Sequence, residues 1–146
     1  MHCFIKFSDA TNLAIHATSL LARRVDDQPV KIGQLAQALH ASEAHLGKIM
    51  NRLAQTSVVL SKRGPLGGFV LGPRAQEMTL FDLYEMFDGP LRQGSCLLNQ
   101  EKCPFGDCIF GDAVNHAQET IRKALQERVI SQLPDKKKKK TKTKKQ

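Results

Sequence analysis

Apolar residues recur along this chain at two different periods, and the switch between them outlines the fold. Leu13, Ala17, Leu20 and Leu21 fall at helical spacing, so Asp9 to about Arg23 reads as a first helix. Asp26-Asp27-Gln28-Pro29 breaks it. Ile32, Leu35, Ala36 and Leu39 mark a short second helix starting near Gly33. After His40-Ala41, Ser42 is placed to cap a third helix, whose stripe of Leu46, Ile49, Met50 and Leu53 follows an i, i+3, i+4, i+7 rule. The period then changes. Val58-Val59-Leu60 and Phe69-Val70-Leu71 are short β-type runs, and the turn formers of Ser61-Lys62-Arg63-Gly64-Pro65-Leu66-Gly67-Gly68 between them predict a hairpin. Thr79 with Asp82 three residues on resembles a capping box for a fourth helix carrying Leu80, Leu83 and Phe87, which Asp88-Gly89-Pro90 ends. Ile109, Ala113, Ala117, Ile121, Ala124, Leu125 and Val129 suggest one long amphipathic helix from about Ile109 to Leu133. There is no internal repeat.

Two short helices, a tight turn, a capped third helix and a basic hairpin together spell a winged helix-turn-helix. The expected fold is mainly α, with a small β-hairpin wing and a long C-terminal dimerisation helix. The expected segments are a DNA-binding domain over 1–88, a cysteine-bearing loop over 89–108, the dimerisation helix over 109–133 and a disordered lysine-rich tail over 134–146. A helix that follows a closed small domain is best used by pairing with its copy in a second subunit.

Charge sharpens this picture once the chain is divided. The net charge of +8 is misleading taken whole, because Lys136 to Lys140, Lys142, Lys144 and Lys145 supply all of it and residues 1–135 sum to zero. Within that neutral body, residues 31–74 carry Lys31, Lys48, Arg52, Lys62, Arg63 and Arg74 against Glu43 alone. Residues 75–135 hold ten acids and five bases. A basic middle in a neutral body is what phosphate binding needs. Ser42, Glu43, His45 and Lys48 lie early on the third helix and off its apolar stripe, free to reach base edges in a major groove. Arg63, at the hairpin tip, can enter a minor groove or pair with phosphate. Arg52, Lys62 and Gly64 complete the candidate DNA-contacting set. The duller reading of the same charges is a solvated face on a small helical domain. The lysine tail either adds nonspecific DNA affinity by counterion release or is a dispensable solvated end.

Three cysteines, Cys96, Cys103 and Cys108, fall within thirteen residues. The N-terminus has no charged-then-apolar signal pattern, and no apolar run approaches bilayer length, so a cytoplasmic protein without a membrane partner is expected. In a reducing compartment such thiols hold a metal or do redox chemistry rather than form structural disulfides. An odd trio cannot pair off among itself, and Cys3 lies far upstream. Thiolates suit zinc, copper(I) or iron–sulfur clusters. Structural zinc would call for a fourth ligand such as Cys3 or His116. A metal-free thiol switch needs one low-pKa cysteine and a resolving partner. His16, His40 and His116 are isolated and read as structural. A redox enzyme is the rival from another class, but no nucleophile–base pair, phosphate loop or Cys-x-x-Cys supports it, and no enzyme activity is expected.

Ile32-Gly33-Gln34-Leu35-Ala36, Ser42-Glu43-Ala44-His45-Leu46-Gly47-Lys48-Ile49 and Ser61-Lys62-Arg63-Gly64-Pro65-Leu66-Gly67-Gly68-Phe69-Val70-Leu71 resemble the Rrf family of bacterial winged-helix regulators. Ser8-Asp9-Ala10-Thr11-Asn12-Leu13-Ala14 is similar to that family's first helix, and Met78-Thr79-Leu80-Phe81-Asp82-Leu83 to its linker helix. The resemblance covers about residues 1–130. It implies a homodimeric transcription regulator, a repressor, acting on an imperfect palindrome of double-stranded DNA. The family's cluster-bearing members, an iron–sulfur-assembly regulator and a nitric-oxide-sensing repressor, carry three cysteines in this loop with five residues in each gap. Here the gaps are six and four, with the outer separation unchanged. The histidine that follows the last cysteine in the assembly regulator is replaced by Gly111. The nitric-oxide sensor resembles this chain in an aspartate at the start of helix one, here Asp9, donated by the partner subunit. The resemblance therefore implies a two-iron or four-iron cluster, the four-iron form favoured, on Cys96, Cys103, Cys108 and Asp9, sensing nitric oxide, redox state or iron–sulfur status. The alternative is a cluster-free relative answering to thiol oxidation, a small molecule or a partner protein.

Overall fold

The computed structural model describes residues 6–24, 26, 28–91, 96 and 103–133. Cys3, most of the loop between residues 92 and 102, and the tail from 134 onward lie outside the described residues.

Among the described residues five α-helices and one hairpin form, in the order α1 (Asp9–Ala22), α2 (Ile32–Ala38), α3 (Glu43–Gln55), β1 (Val59–Lys62), β2 (Gly68–Leu71), α4 (Leu80–Asp88) and α5 (Ala113–Gln126). Short 3-10 turns at Pro73–Gln76 and Ile130–Gln132 precede α4 and follow α5. The expected mainly helical winged architecture is therefore present. Among the described residues, no helix is long and apolar enough to cross a membrane.

α1, α3 and α4 begin where the sequence supplies a side-chain cap. The Ser8 side chain accepts from the Thr11 N–H at 3.2 Å, and Ser42 does the same for His45 at 3.2 Å. Thr79 and Asp82 form a reciprocal capping box, Asp82 N–H to Thr79 Oγ1 at 3.1 Å and Thr79 N–H to Asp82 Oδ2 at 2.7 Å. The helix ends are less ordinary. His40 and Ser57 adopt left-handed φ of 51° and 59°. Ala41 N–H bonds Ala36 C=O at 2.9 Å and His40 N–H bonds Gln37 C=O at 3.3 Å. Val58 and Ser57 repeat that pair on Leu53 and Ala54 at 3.0 and 3.1 Å. Both helices of the helix-turn-helix thus end in Schellman motifs, with a side-chain-bearing residue where glycine is preferred.

The core lies where α1 crosses α3 and α4. Leu35, Leu46, Met50, Leu53, Val58, Val59 and Leu83 are essentially excluded from solvent, each leucine contributing roughly 1.5–3 kcal/mol by leaving water. The predicted stripe of α3 is the buried face. β1 and β2 pair antiparallel with Leu60 opposite Val70 and Lys62 opposite Gly68. Phe69 also exchanges two backbone hydrogen bonds with Val30, both 2.9 Å, so the α1–α2 connection joins the hairpin as a single bridge. That approach explains Gly68. Its φ is 153°, and a Cβ there would stand 2.4 Å from the Val30 carbonyl oxygen.

The C-terminal helix differs from expectation. It is fourteen residues long, Ala113–Gln126, rather than the whole of 109–133. Gly111, at φ 53°, interrupts the helical path before Asp112, and Ile109 stands exposed in the turn ahead of it. At the other end Val129 turns extended and bridges Thr79. Leu80 N–H reaches Arg128 C=O and Ile130 N–H reaches Met78 C=O, both at 2.9 Å. Ile130 is completely buried, in a turn that packs on α1. Residues 127–133 therefore close the domain instead of extending the helix. Leu125 also faces this chain's own core, so a charge there would unfold the subunit before it separated two.

Candidate nucleic-acid interface and cysteine loop

The N-cap and first two turns of α3 present Ser42, Glu43, His45 and Lys48 to solvent, while the helix's buried residues point to α1 and α2. The exposed Glu43 side chain leans toward the start of α2: a Cβ on Gly33 would lie 3.0 Å from Glu43 Oε1. The bare glycine at the start of α2 makes room for that carboxylate, and His45 and Lys48 are exposed beside it. At the wing, Lys62, Arg63 and Gly64 are all exposed. Gly67 N–H closes a turn onto Gly64 C=O at 2.9 Å around Pro65-Leu66, and Gly64 takes φ 111°, a conformation suited to glycine. Among the described residues no ion pair involves Lys48, Lys62 or Arg63. The structure thus brings a helix N-terminus and a basic hairpin into one framework, the hairpin being tied through Phe69 to the segment that leads into α2.

Arg52 is placed differently. Its guanidinium donates to the Met86 carbonyl and stands 4.8 Å over the Phe87 ring. It binds the end of α3 to α4, away from the helix's first turn. Sequence reasoning had no signal for that, since Met86 and Phe87 lie more than thirty residues ahead.

A second polar group was also missed. Asp88, the last residue of α4, accepts from Ser8 N–H at 3.0 Å and from the Thr11 hydroxyl at 2.7 Å. It fastens α4, at the point where the cysteine loop departs, to the start of α1 beside Asp9. Burial pushes the Asp88 carboxyl up, but the hydrogen bonds from Ser8 and Thr11 and the charge of Lys6 outweigh it and leave the pKa lowered. Next to it Tyr84 packs edge-on to Phe7 at 5.5 Å and stacked with Phe81 at 6.2 Å. Its phenol is pushed up by burial and by the charges of Asp88 and Glu85.

Cys96, Cys103 and Cys108 are free thiols, each half-buried. Cys103 and Cys108 open two successive turns, with Gly106 N–H on Cys103 C=O at 3.1 Å and Gly111 N–H on Cys108 C=O at 2.9 Å. Three soft donors suit an iron–sulfur cluster or zinc by chemistry. Among the described residues, however, no three His, Cys, Asp or Glu side chains gather in a geometry that would hold a metal ion. Asp9 is exposed at the start of α1, and His116 is exposed on α5. Phe105, Ile109 and Phe110 around the turns are 68%, 71% and 51% exposed.

A capped helix presented beside a basic two-stranded wing defines a DNA-binding protein of the winged helix-turn-helix class. Comparison with known proteins gives the family. Residues 7–136 match the Rrf2 family, described as iron-dependent transcriptional regulators, and the chain belongs to that family. It is 33% identical over 124 residues to a protein of Aquifex aeolicus named as a helix-turn-helix-type transcriptional regulator, covering 83% of each chain. It is 30% identical over 81 residues to the regulator CymR of Bacillus subtilis, covering 56% of this chain and 59% of that one. The solved structure of that CymR, the global cysteine regulator, superposes with a TM-score of 0.61 at 25% identity, covering 88% of this chain and 92% of the other. The structure of IscR from T. potens superposes with the same TM-score at 19% identity over 87% and 84% of the two chains, a likeness of fold. The protein is a transcription regulator and not an enzyme.

Proposed function

We propose that this regulator is a homodimer that represses by binding an imperfect palindrome, and that an iron–sulfur cluster on its cysteine loop sets its operator affinity. The observation that carries the reading is the pairing of two features in one chain. An exposed basic set, Lys48 on α3 with Lys62 and Arg63 on the wing, in no ion pair among the described residues, is joined through α4 to a loop bearing three free thiols. Cys96, Cys103 and Cys108 would hold the cluster, and Asp9 of the partner subunit would complete it. When bound, such a group supplies an oxidant- and nitric-oxide-sensitive centre whose loss can be read as a change in shape. The chain's own part is to hold the ligands on a loop rooted at Asp88, whose bonds to Ser8 and Thr11 fix the start of α1. α1 in turn packs on α3, so displacement of the loop root bears on the helix expected to read DNA.

For the dimer, the support is the outward side of α5 with the exposed Phe105, Ile109 and Phe110 ahead of it. Ala113 and Ala117 leave that side smooth and exposed, and a second copy would cover it.

A second reading has its own support. Cys103 and Cys108 are free, half-buried and on adjoining turns, so thiol oxidation without metal is a workable signal. One experiment separates the two. Anaerobic reconstitution with iron and sulfide, followed by counting both and recording the visible spectrum, should give a coloured protein with iron and sulfide bound. Stoichiometric zinc alone, or a colourless protein that still loses operator binding on mild oxidation, would overturn the cluster.

A further inference from the structure

The tip of the wing carries a side chain for which the folded body has no use. Leu66 is 83% exposed, the most exposed of the large apolar side chains among the described residues. Phe105, Ile109 and Phe110, also more than half exposed, precede α5 and belong to the surface proposed for the dimer. Leu66 instead lies in the loop between β1 and β2, where residues 61–66 are all exposed. That loop is held stiffly. Gly67 N–H bonds Gly64 C=O at 2.9 Å, which makes Pro65 and Leu66 the two central residues of a turn, and the Pro65 ring fixes its own φ. A Cβ on Gly67 would stand 2.3 Å from the Lys62 carbonyl oxygen, so the backbone folds back closely onto the end of β1. Leu66 is an apolar point on a preorganised turn, flanked by the exposed Lys62 and Arg63.

We propose that Leu66 is a specificity-determining wedge, which enters the minor groove beside the half-site, pushes between two base pairs and kinks the duplex. The proposal rests on the operator-binding reading and adds to it a residue and a kind of readout. Charge selects the occupant. Lys62 and Arg63, at the same tip and in no ion pair among the described residues, draw the hairpin to phosphates rather than to an apolar protein face. With those cations on the phosphates, the leucine meets what lies between them, the sugars and base edges of the groove. An apolar side chain inserted there partly unstacks a base step, and its burial and the added contact along the bend offset that cost. A stiff turn suits the task, because little freedom is lost on binding. The cost depends on the step: pyrimidine–purine steps unstack easily and A-tracts resist. Leu66 therefore discriminates between sequences without a hydrogen bond to any base. It carries no charge, so its contribution, unlike that of Arg63, releases no counterions.

The test compares the full wild-type chain with Leu66→Ala, and with Leu66→Met as a variant that keeps an apolar wedge. Each chain selects duplexes from a random pool. The duplex selected by wild type then serves to measure affinity, salt slope and, by energy transfer between end-attached dyes, bending. All three chains should melt alike, since so exposed a side chain supports nothing in the fold. Wild type should enrich pyrimidine–purine steps just outside the core that it selects, and should bend the duplex. Leu66→Ala should select the same core without those flanking steps, bend it less, bind about tenfold more weakly and keep the wild-type salt slope. Leu66→Met should restore the bend. Equal bending and affinity in Leu66→Ala overturn the proposal. So does a slope reduced by about one per bound subunit, which would trace the loss to a displaced Arg63. A Leu66→Ala chain that sediments at lower mass than wild type would assign the leucine to a contact between copies and overturn the wedge. A wild type that selects no common core overturns the operator reading and the wedge with it, whereas a selected core with no effect at Leu66 overturns the wedge alone.

Discussion

Single residues divide here into those that face outward with nothing to do in the fold and those that are spent on it. Arg63 is of the first kind, exposed at the wing tip and in none of the described ion pairs. Arg63→Ala should leave thermal stability unchanged and reduce the magnitude of the operator salt slope by about one per bound subunit, as one lost phosphate contact in each requires. Wild-type affinity and slope in that variant would remove the wing from the interface. Asp88 is of the second kind. Its carboxyl is held below the ordinary range by donors from Ser8 and Thr11, so it contributes stability that is complete above the unfolded value of about 3.9 and is lost as pH falls through the lower folded value. Melting temperature should therefore drop more steeply below about pH 4 in wild type than in Asp88→Asn, which starts lower and no longer titrates. Parallel curves would show that the bonds to α1 carry no linkage. Arg52 shows why residue type alone misleads. The same guanidinium that suits phosphate suits a carbonyl and an aromatic face, and the choice depends on what α4 brings near it.

At the scale of elements, local chemistry was legible wherever the determinant lay within a few residues. Ser42 and Thr79 cap where their hydroxyls predict, the stripe of α3 is its buried face, and the Arg-Gly-Pro-Leu-Gly-Gly turn forms a hairpin. The end of α5 was not legible, because what decides it is distant. Val129 fits a helical stripe by spacing, yet it and Ile130 pair with Thr79 and Met78, about fifty residues earlier. The cysteine loop is similar, since in the proposed dimer its ligand geometry would depend on a bound group and on a second chain rather than on spacing. Two predictions belong here. Ile130→Ala should cost roughly 2–5 kcal/mol, as for a large aliphatic side chain removed from a filled core, measured by denaturant midpoint. A change below about 0.5 kcal/mol would mean that residues 127–133 lie on the domain without closing it. His40→Gly should stabilise by about 0.5–1 kcal/mol, because the left-handed C′ position costs a side-chain-bearing residue more than glycine. Loss of stability instead would show that the imidazole makes contacts worth more than that strain.

The molecule as a whole is where DNA reading and signal must meet, and the proposed geometry joins them across two chains. In the proposed dimer, Cys96, Cys103 and Cys108 of one subunit share a site with Asp9 of the other. A carboxylate is a hard ligand beside three soft thiolates, so removing it should leave a cluster that forms but is more easily lost. Asp9→Ala should accordingly bleach faster in air or nitric oxide than wild type, while any single Cys→Ala change abolishes the visible absorption. A mixed dimer separates the two possible origins of the aspartate. One subunit carries Asp9→Ala, and the other carries Cys96→Ala, Cys103→Ala and Cys108→Ala. If Asp9 comes from the partner, the intact cysteines of the first subunit meet the intact Asp9 of the second, and one cluster of wild-type stability forms per dimer. If Asp9 serves its own chain, the intact cysteines have no aspartate and every cluster is labile. The bleaching rate of the purified mixed dimer decides. A fast rate equal to that of the Asp9→Ala homodimer would place the ligand within one subunit, and the link between the cluster and the arrangement of the two DNA-reading domains would then have to run through α1 and Asp88 alone.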